Sequence, residues 1–148
     1  MSEHATREGG CLCGAVRFEL AEIPTEYGAC HCQMCRKFSG GIELGVFVSA
    51  DGIRWIKNDV LKTYKSSDWA ERGFCGNCGS SLFWRLTAEG PMHGMLSLSV
   101  GALDSMAGMT FATEVYIDHK PTSHAFAGER KRMTEAEVLE SVGVGDGA

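Results

Sequence analysis

The side chains best suited to chemistry in this chain are its seven cysteines, which fall into three short clusters. A structural zinc site takes four protein ligands in a tetrahedron, whereas a zinc that acts on a substrate keeps one position free. Seven cysteines therefore predict one closed four-sulfur site and one open three-sulfur site, and we expect the open position to carry the function. The clusters are Cys11-Leu-Cys13, Cys30-His-Cys32-Gln-Met-Cys35 and Cys75-Gly-Asn-Cys78.

The third cluster has the form of a zinc knuckle, a tight turn that presents two sulfurs to one ion. Strand-like residues arrive at 72–74 and leave at 81–84, and this context favours a metal site over a redox pair, which would open a helix after a strand. Spacing allows the knuckle to pair with Cys32 and Cys35 or with the first cluster. We favour the first cluster, because Cys30, Cys32 and Cys35 then stay together on six consecutive residues, where one local turn can bring three sulfurs together.

Hydrophobic periodicity predicts the elements that hold these clusters. Residues 15–20 alternate apolar and charged side chains, which is typical of a strand with one buried face. A single convincing helix is predicted at 135–142, with Thr134 and Glu137 as a capping box and Gly143 as its end. The fold class is therefore all-β, with mainly antiparallel strands, zinc knuckles and a short C-terminal helix. The further predicted strands cover residues 43–48, 53–56, 61–65, 81–85, 95–100 and 110–117.

Length and charge narrow the class of protein. A chain of 148 residues predicts a single zinc-binding domain over 1–148, with a motif-bearing core at about 10–118, a helix at about 134–142 and a frayed tail at 143–148. The formal net charge of −5 argues against nucleic acid or anionic membrane as partners. The first ten residues lack the apolar core of a signal peptide, so we expect a cytoplasmic protein, in which clustered cysteines bind metal more often than they form disulfides.

The ordered set of motifs resembles a known family. Gly10-Cys11-Leu-Cys13-Gly14, then Cys30-His-Cys32-Gln-Met-Cys35-Arg36-Lys37 with Gly40, then Phe74-Cys75-Gly-Asn-Cys78-Gly79, is similar to the glutathione-dependent formaldehyde-activating enzymes, also called S-(hydroxymethyl)glutathione synthase-like. The resemblance implies a β-tent-like fold with two zinc ions. It implies a structural zinc at Cys11, Cys13, Cys75 and Cys78, a catalytic zinc at Cys30, Cys32 and Cys35, and glutathione as co-substrate. One departure is that the stretch 119–126 has no tryptophan, where family members often carry an aromatic-rich segment.

The chemistry of a three-cysteine zinc indicates the same kind of reaction. Three thiolates make the ion a weaker Lewis acid toward water, and a soft ion suits a fourth sulfur. We therefore predict a carbon-sulfur lyase or synthase that acts on a small-molecule thiol or thiol adduct. Arg36 and Lys37 are candidates for contacts with the carboxylates of glutathione, since Arg binds carboxylates through two N–H groups. His31 is expected to support the site or to lie at the surface rather than to ligate the metal, and a homo-oligomer is compatible with the sequence.

Two other functions stay open at this stage. In the first, the protein is a non-enzymatic binding module in which both zinc ions are structural, and the second zinc then has a full set of protein ligands. In the second, the protein is a thiol redox sensor whose Cys30, Cys32 and Cys35 release zinc on oxidation. The tryptophans and phenylalanines are assigned to the core or to sheet faces, and none to substrate.

Overall fold

The structure is a computed structural model, and it describes residues 4–142. These residues form strands β1 (Glu8–Gly10), β2 (Arg17–Leu20), β3 (Glu26–Cys30), β4 (Glu43–Val48), β5 (Ile53–Lys57), β6 (Leu61–Ser67), β7 (Ala70–Cys75), β8 (Ser81–Leu86), β9 (Leu96–Ser99), β10 (Thr110–Val115) and β11 (Lys131–Met133). Helix α1 spans Gln33–Ser39 and helix α2 spans Glu135–Val142. The all-β prediction with a short C-terminal helix is confirmed.

The strands form two sheets of unequal size. The smaller sheet has the order β1-β2-β5, and the larger has the order β11-β10-β3-β4-β9-β8-β7-β6. Most neighbours are antiparallel, but β10 runs parallel to both β3 and β11. The parallel pairing matters for the site, because it places the end of β10 beside the second cysteine cluster, with Val115 opposite Cys30.

The main core lies between the two sheets. Phe18 of β2 and Trp55 of β5 meet Phe83 of β8, and the Trp55 ring centroid lies 5.8 Å from that of Phe18 and 5.6 Å from that of Phe83. Leu82 and Leu98 are fully buried in the same cluster. Full burial of such side chains stabilises a fold by about 1.5–3 kcal/mol each, so this layer fixes the hairpin that carries Cys75 and Cys78.

The predicted strands agree with the structure to within a few residues, and β4 has the predicted bounds. The capping box is confirmed, since the Glu137 N–H donates to Thr134 Oγ1 at 3.3 Å and the Thr134 N–H donates to Glu137 Oε1 at 2.9 Å. The predicted stop at Gly143 and the frayed tail at 143–148 lie outside the described residues. Helix α1 was not predicted, although the αL conformation of Gly40 at its end is a common helix stop.

Strand β3 was also missed, and a close contact explains why. Its sequence Glu-Tyr-Gly-Ala-Cys lacks period-two alternation. Gly28 is required there, because a side chain at this position would collide with Thr113 on the parallel strand β10. Neighbour contact, rather than the strand's own pattern, defines this element.

Candidate active site

The fold gathers the seven sulfurs into two groups. The sulfurs of Cys11, Cys13, Cys75 and Cys78 all lie within 4.8 Å of one another, and the second cluster forms a separate group with the same spread. This is the grouping favoured from the sequence. That each group binds zinc remains a prediction.

The four-sulfur group has dimensions that suit a tetrahedral ion. Cys11 Sγ lies 3.6 Å from Cys13 Sγ, and Cys13 Sγ lies 3.9 Å from Cys75 Sγ. A zinc ion with four sulfur ligands at 2.3 Å implies sulfur-sulfur distances of about 3.8 Å. The donor set and its geometry therefore fit zinc.

The knuckle between β7 and β8 owes its shape to backbone groups that turn toward sulfur. The N–H groups of Asn77 and Cys78 donate to Cys75 Sγ at 3.3 and 3.4 Å. Gly79 closes the turn with a φ of +81°, a conformation that glycine adopts without strain, and its N–H donates to the Cys75 carbonyl at 2.8 Å. The two N–H groups that point at sulfur favour a thiolate at Cys75, but burial and the bonds with Cys11 and Cys78 outweigh them and raise the pKa of this thiol.

The three-sulfur group is built at a junction between a strand and a helix. Cys30 ends β3, Cys32 is the N-cap of α1, and Cys35 lies in the first turn. The Cys35 N–H donates to Cys32 Sγ at 3.3 Å, so this thiol takes the place of the usual serine or aspartate cap. The helix thus places three sulfurs on one side of a single turn.

The three thiols share negative charge unequally. Hydrogen bonds from Cys30 and Cys35 lower the pKa of Cys32 to about 2. The bond with Cys32 raises the pKa of Cys30, and the bonds with Cys30 and Cys32 raise the pKa of Cys35. A divalent cation would replace the retained protons, which makes metal binding at this group favoured by higher pH.

Beside this group lies a cavity of about 160 Å³, which we call the cysteine cavity. Cys30, Cys32 and Cys35 all line it. The rest of the lining is mostly apolar and includes Trp69, Trp84, Met34, Met95, Tyr116 and Val138. The four-sulfur residues do not line the cysteine cavity, so of the two groups the three-sulfur group is the one in contact with this space.

Two buried charged residues accompany the three sulfurs in the cavity wall. Arg72 Nη1 lies 3.5 Å from Cys35 Sγ and 3.8 Å from Glu43 Oε2, and both residues are buried. Burial raises the pKa of Glu43. Burial opposes the charge of Arg72, but the nearby Cys35 and Glu43 outweigh it and raise the pKa of the guanidinium, which therefore stays positive.

Tyr116 closes the site from the end of β10. Its backbone has φ 56° and ψ 40°, a left-handed conformation that is strained for a tyrosine. The side chain packs against Cys32 and Cys35, and burial raises the pKa of its hydroxyl. The unusual backbone turns the aromatic ring back over the three-sulfur group.

His31 belongs to a separate buried network. Its Nε2 lies 2.8 Å from Glu114 Oε1, and Glu114 Oε2 accepts from Arg130 Nη1 at 2.7 Å and from Arg132 Nε at 3.1 Å. Neither ring nitrogen of His31 joins the three sulfurs as a candidate ligand. His31 therefore supports the cluster through its contact with Glu114 of β10. This agrees with the supporting role expected from the sequence.

The other two residues expected at the site do not lie in the cysteine cavity. Arg36 and Lys37 are exposed on α1 and do not line the cysteine cavity, so their contact with glutathione stays a prediction. Sequence reasoning did not find Glu43 or Arg72, which pairing between distant strands brings to the cluster. It also placed Trp69 and Trp84 with structural aromatics, and no local signal distinguishes them from those.

The fold and the two cysteine groups define a small β protein with two candidate zinc centres, one of them beside a cavity. A family model described as glutathione-dependent formaldehyde-activating enzyme matches residues 6–119, and the chain belongs to that family. The match covers both cysteine groups and the strands that carry them, which confirms the resemblance seen in the motifs.

Individual relatives agree with this assignment. The chain is 29% identical over 136 residues to an uncharacterized lyase of Schizosaccharomyces pombe, covering 91% of this chain and 96% of that protein. It is 33% identical over 84 residues to a Halomonas elongata protein named provisionally as a glutathione-dependent formaldehyde-activating enzyme, covering 51% of this chain and 54% of that one. The family and these names support an enzymatic activity.

A solved structure confirms the fold. The crystal structure of a Rhodobacter sphaeroides protein superposes with a TM-score of 0.55 at 19% identity, covering 71% of this chain and 99% of that one. At this identity the likeness concerns the fold alone. Within residues 4–142, neither helix has the length and apolar character that crossing a membrane requires.

Proposed function

We propose that the protein is a zinc-dependent carbon-sulfur lyase or synthase that acts on a thiol adduct, with Cys30, Cys32 and Cys35 as the ligands of the working zinc. The observation that carries the proposal is the position of this three-sulfur group in the wall of the cysteine cavity. Among residues 4–142, no histidine, aspartate or glutamate joins the three sulfurs as a fourth candidate ligand. An open position facing a cavity favours substrate binding over a purely structural zinc.

A zinc ion held by three thiolates would supply a soft electrophilic centre that keeps a substrate thiol in its thiolate form near neutral pH. In the synthetic direction the substrate sulfur attacks a carbonyl carbon, a carbon-sulfur bond forms, and the carbonyl oxygen takes up the proton that the thiol gave up. In the lyase direction the same bond breaks and the proton returns to sulfur. No electrons are gained or lost overall, so the reaction needs no redox partner.

The residues of the chain have distinct roles in this scheme. Tyr116 packs against Cys32 and Cys35, and the helix cap at Cys32 holds this sulfur in place, so both fix the three-sulfur group. Glutathione is the proposed thiol, since the family and the name of one relative point to it. Arg36 and Lys37 at the exposed surface of α1 are the proposed contacts for its carboxylates.

Cys11, Cys13, Cys75 and Cys78 are the proposed ligands of a second, structural zinc, which gives two zinc ions for each chain. The group joins the loop before β2 to the hairpin β7–β8. We infer that the chain forms a single zinc-binding domain on this basis, with the metal contributing directly to folding free energy. Clustered cysteines act as metal ligands rather than as disulfides mainly in reducing compartments, so we propose a cytoplasmic location.

Native mass spectrometry of protein purified under reducing conditions with added zinc tests the proposal. The expected result is two zinc ions for each chain and an adduct with glutathione. Cys32→Ser should lose one zinc and the adduct together. Cys78→Ser, the matched change in the other group, should weaken one zinc while the adduct persists.

Two results would contradict the proposal. A second zinc that binds without any thiol adduct would favour a binding module with two structural ions. Full zinc stoichiometry and full turnover in Cys32→Ser would show that Cys30, Cys32 and Cys35 do not hold the working metal.

A further inference from the structure

Arg72 has an unused hydrogen-bond donor beside the three-sulfur group. The residue is 4% exposed, lines the cysteine cavity, and its Nε has no hydrogen-bond partner. Its Nη1 is already engaged near Cys35 and Glu43. A buried donor without a partner is costly, so a group with an acceptor oxygen is the natural occupant of the space next to it.

The rest of the cavity offers room that formaldehyde would not use. Trp69 and Trp84 form an edge-to-face pair with ring centroids 5.7 Å apart, and Met95 lines the same cavity. The volume is about 160 Å³, and apolar cavities of about 150 Å³ are known to bind benzene. Formaldehyde has two non-hydrogen atoms and would leave most of this apolar wall uncovered.

We propose, building on the function proposed above, that the cysteine cavity binds the aldehyde half of the adduct. Arg72 donates from Nε to the oxygen, and Trp69, Trp84 and Met95 pack against an apolar substituent. The substrate class is then a hemithioacetal of a substituted aldehyde with an apolar group of up to about the size of a phenyl ring.

The chemistry of this step is balanced without another reactant. A thiol and an aldehyde give a hemithioacetal, in which one carbon-sulfur bond forms and the thiol proton ends on the former carbonyl oxygen. Negative charge develops on that oxygen during attack, and a fixed guanidinium donor stabilises it as it develops. Arg72 is in this sense a catalytic residue, because it touches the reacting oxygen.

Three thiols test the Arg72–oxygen contact and the apolar packing contact separately, without any change to the protein. 2-Mercapto-1-phenylethanol carries a thiol, a hydroxyl and a phenyl group and resembles the adduct, whereas 2-phenylethanethiol lacks the hydroxyl and 2-mercaptoethanol lacks the phenyl group. Dissociation constants are measured by isothermal titration calorimetry on the zinc-loaded protein. We expect 2-mercapto-1-phenylethanol to bind at least about tenfold more tightly than either of the other two thiols.

Variants assign the preferences to residues. In Arg72→Met the dissociation constants of the compounds with and without the hydroxyl should differ by no more than about twofold, while the preference for the phenyl group stays. In Trp84→Ala the preference for the phenyl group should fall in the same way, while the preference for the hydroxyl stays. Arg54→Met, at an exposed arginine paired with Glu19, is the matched control and should keep both preferences. Arg72→Lys retains the charge and serves where Arg72→Met fails to fold, with zinc stoichiometry measured for each variant.

The outcomes separate this inference from the function on which it rests. Equal binding of all three thiols to the wild-type protein, or a hydroxyl preference that survives at Arg72→Met, overturns the inference and leaves the thiol site intact. Failure of every thiol, including glutathione, to bind the zinc-loaded protein overturns the proposed function and the inference together.

Discussion

Loss of Glu114 should damage the fold severely while leaving all seven cysteines in place. Its side chain is 2% exposed and its carboxylate is shared by His31, Arg130 and Arg132, whose side chains are 1%, 7% and 33% exposed. Glu114→Ala would leave the buried side chains of His31 and Arg130 without their charged partner. Removing one member of a buried ion pair costs about 3–5 kcal/mol, and the half-exposed Arg132 adds little.

Urea unfolding of the zinc-loaded protein at neutral pH measures this loss. A destabilisation of about 3–5 kcal/mol corresponds to a decrease in melting temperature of about 6–20 °C for a domain of this size. Glu129→Ala is the matched control, because Glu129 pairs with the same Arg132 but its side chain is 96% exposed. Its free energy of unfolding should change by less than about 0.5 kcal/mol. A loss below about 1 kcal/mol for Glu114→Ala would refute the reasoning.

The same carboxylate predicts a pH dependence. Burial raises the pKa of Glu114, but hydrogen bonds from His31 and Arg130 outweigh it and hold the pKa below its usual value of 4.5. The unfolded state therefore binds the proton first, and the contribution of Glu114 to stability is complete above about pH 4.5 and is lost as the pH falls through the lower folded value. Glu114→Gln should flatten the stability profile in this window, and a profile as steep as that of the wild type would contradict the assignment.

Two further predictions concern packing and metal. Gly73→Ala should lower the free energy of unfolding by about 1–3 kcal/mol, because the new methyl group would collide with the Phe83 ring. Gly41→Ala, where the methyl group meets open space, should be neutral or slightly stabilising. Equal urea midpoints for the two variants would count against this packing. Cys75→Ser should lower the melting temperature of the zinc-loaded protein more than Cys32→Ser does, and the opposite order in differential scanning calorimetry would argue against a structural role for the four-sulfur group.

The sequence predicted the sulfur grouping correctly for a physical reason. Cys30, Cys32 and Cys35 are close along the chain, and a single helix cap suffices to bring them together. The strand pattern was equally readable in β2, whose residues alternate between partly exposed and buried positions. Local rules of this kind transfer directly from sequence to structure.

The cavity could not be predicted in the same way. Arg72 and Glu43 come from β7 and β4, which are separated in the sheet by β8 and β9, and their approach to Cys35 depends on sheet order and twist. Trp69 in the turn between β6 and β7 and Trp84 in β8 carry no local signal that sets them apart from structural aromatics, and they line the cavity because the fold brings them beside residues of α1. The parallel pairing of β10 with β3 that seats Tyr116 is likewise a long-range choice.

The different roles proposed for the two cysteine groups are consistent with the lengths of the chain loops that they close. Cys13 and Cys75 are 62 residues apart, and a cross-link that closes such a loop restricts the unfolded chain by about 4 kcal/mol, whereas one that closes a loop of five residues restricts it by about 2 kcal/mol. A metal in the four-sulfur group therefore stabilises the whole fold. The three-sulfur group is organised by its own helix cap and by the Glu114 network, so the fold depends less on its metal. That independence supports the proposal that a metal in this group keeps its fourth position for a substrate thiol.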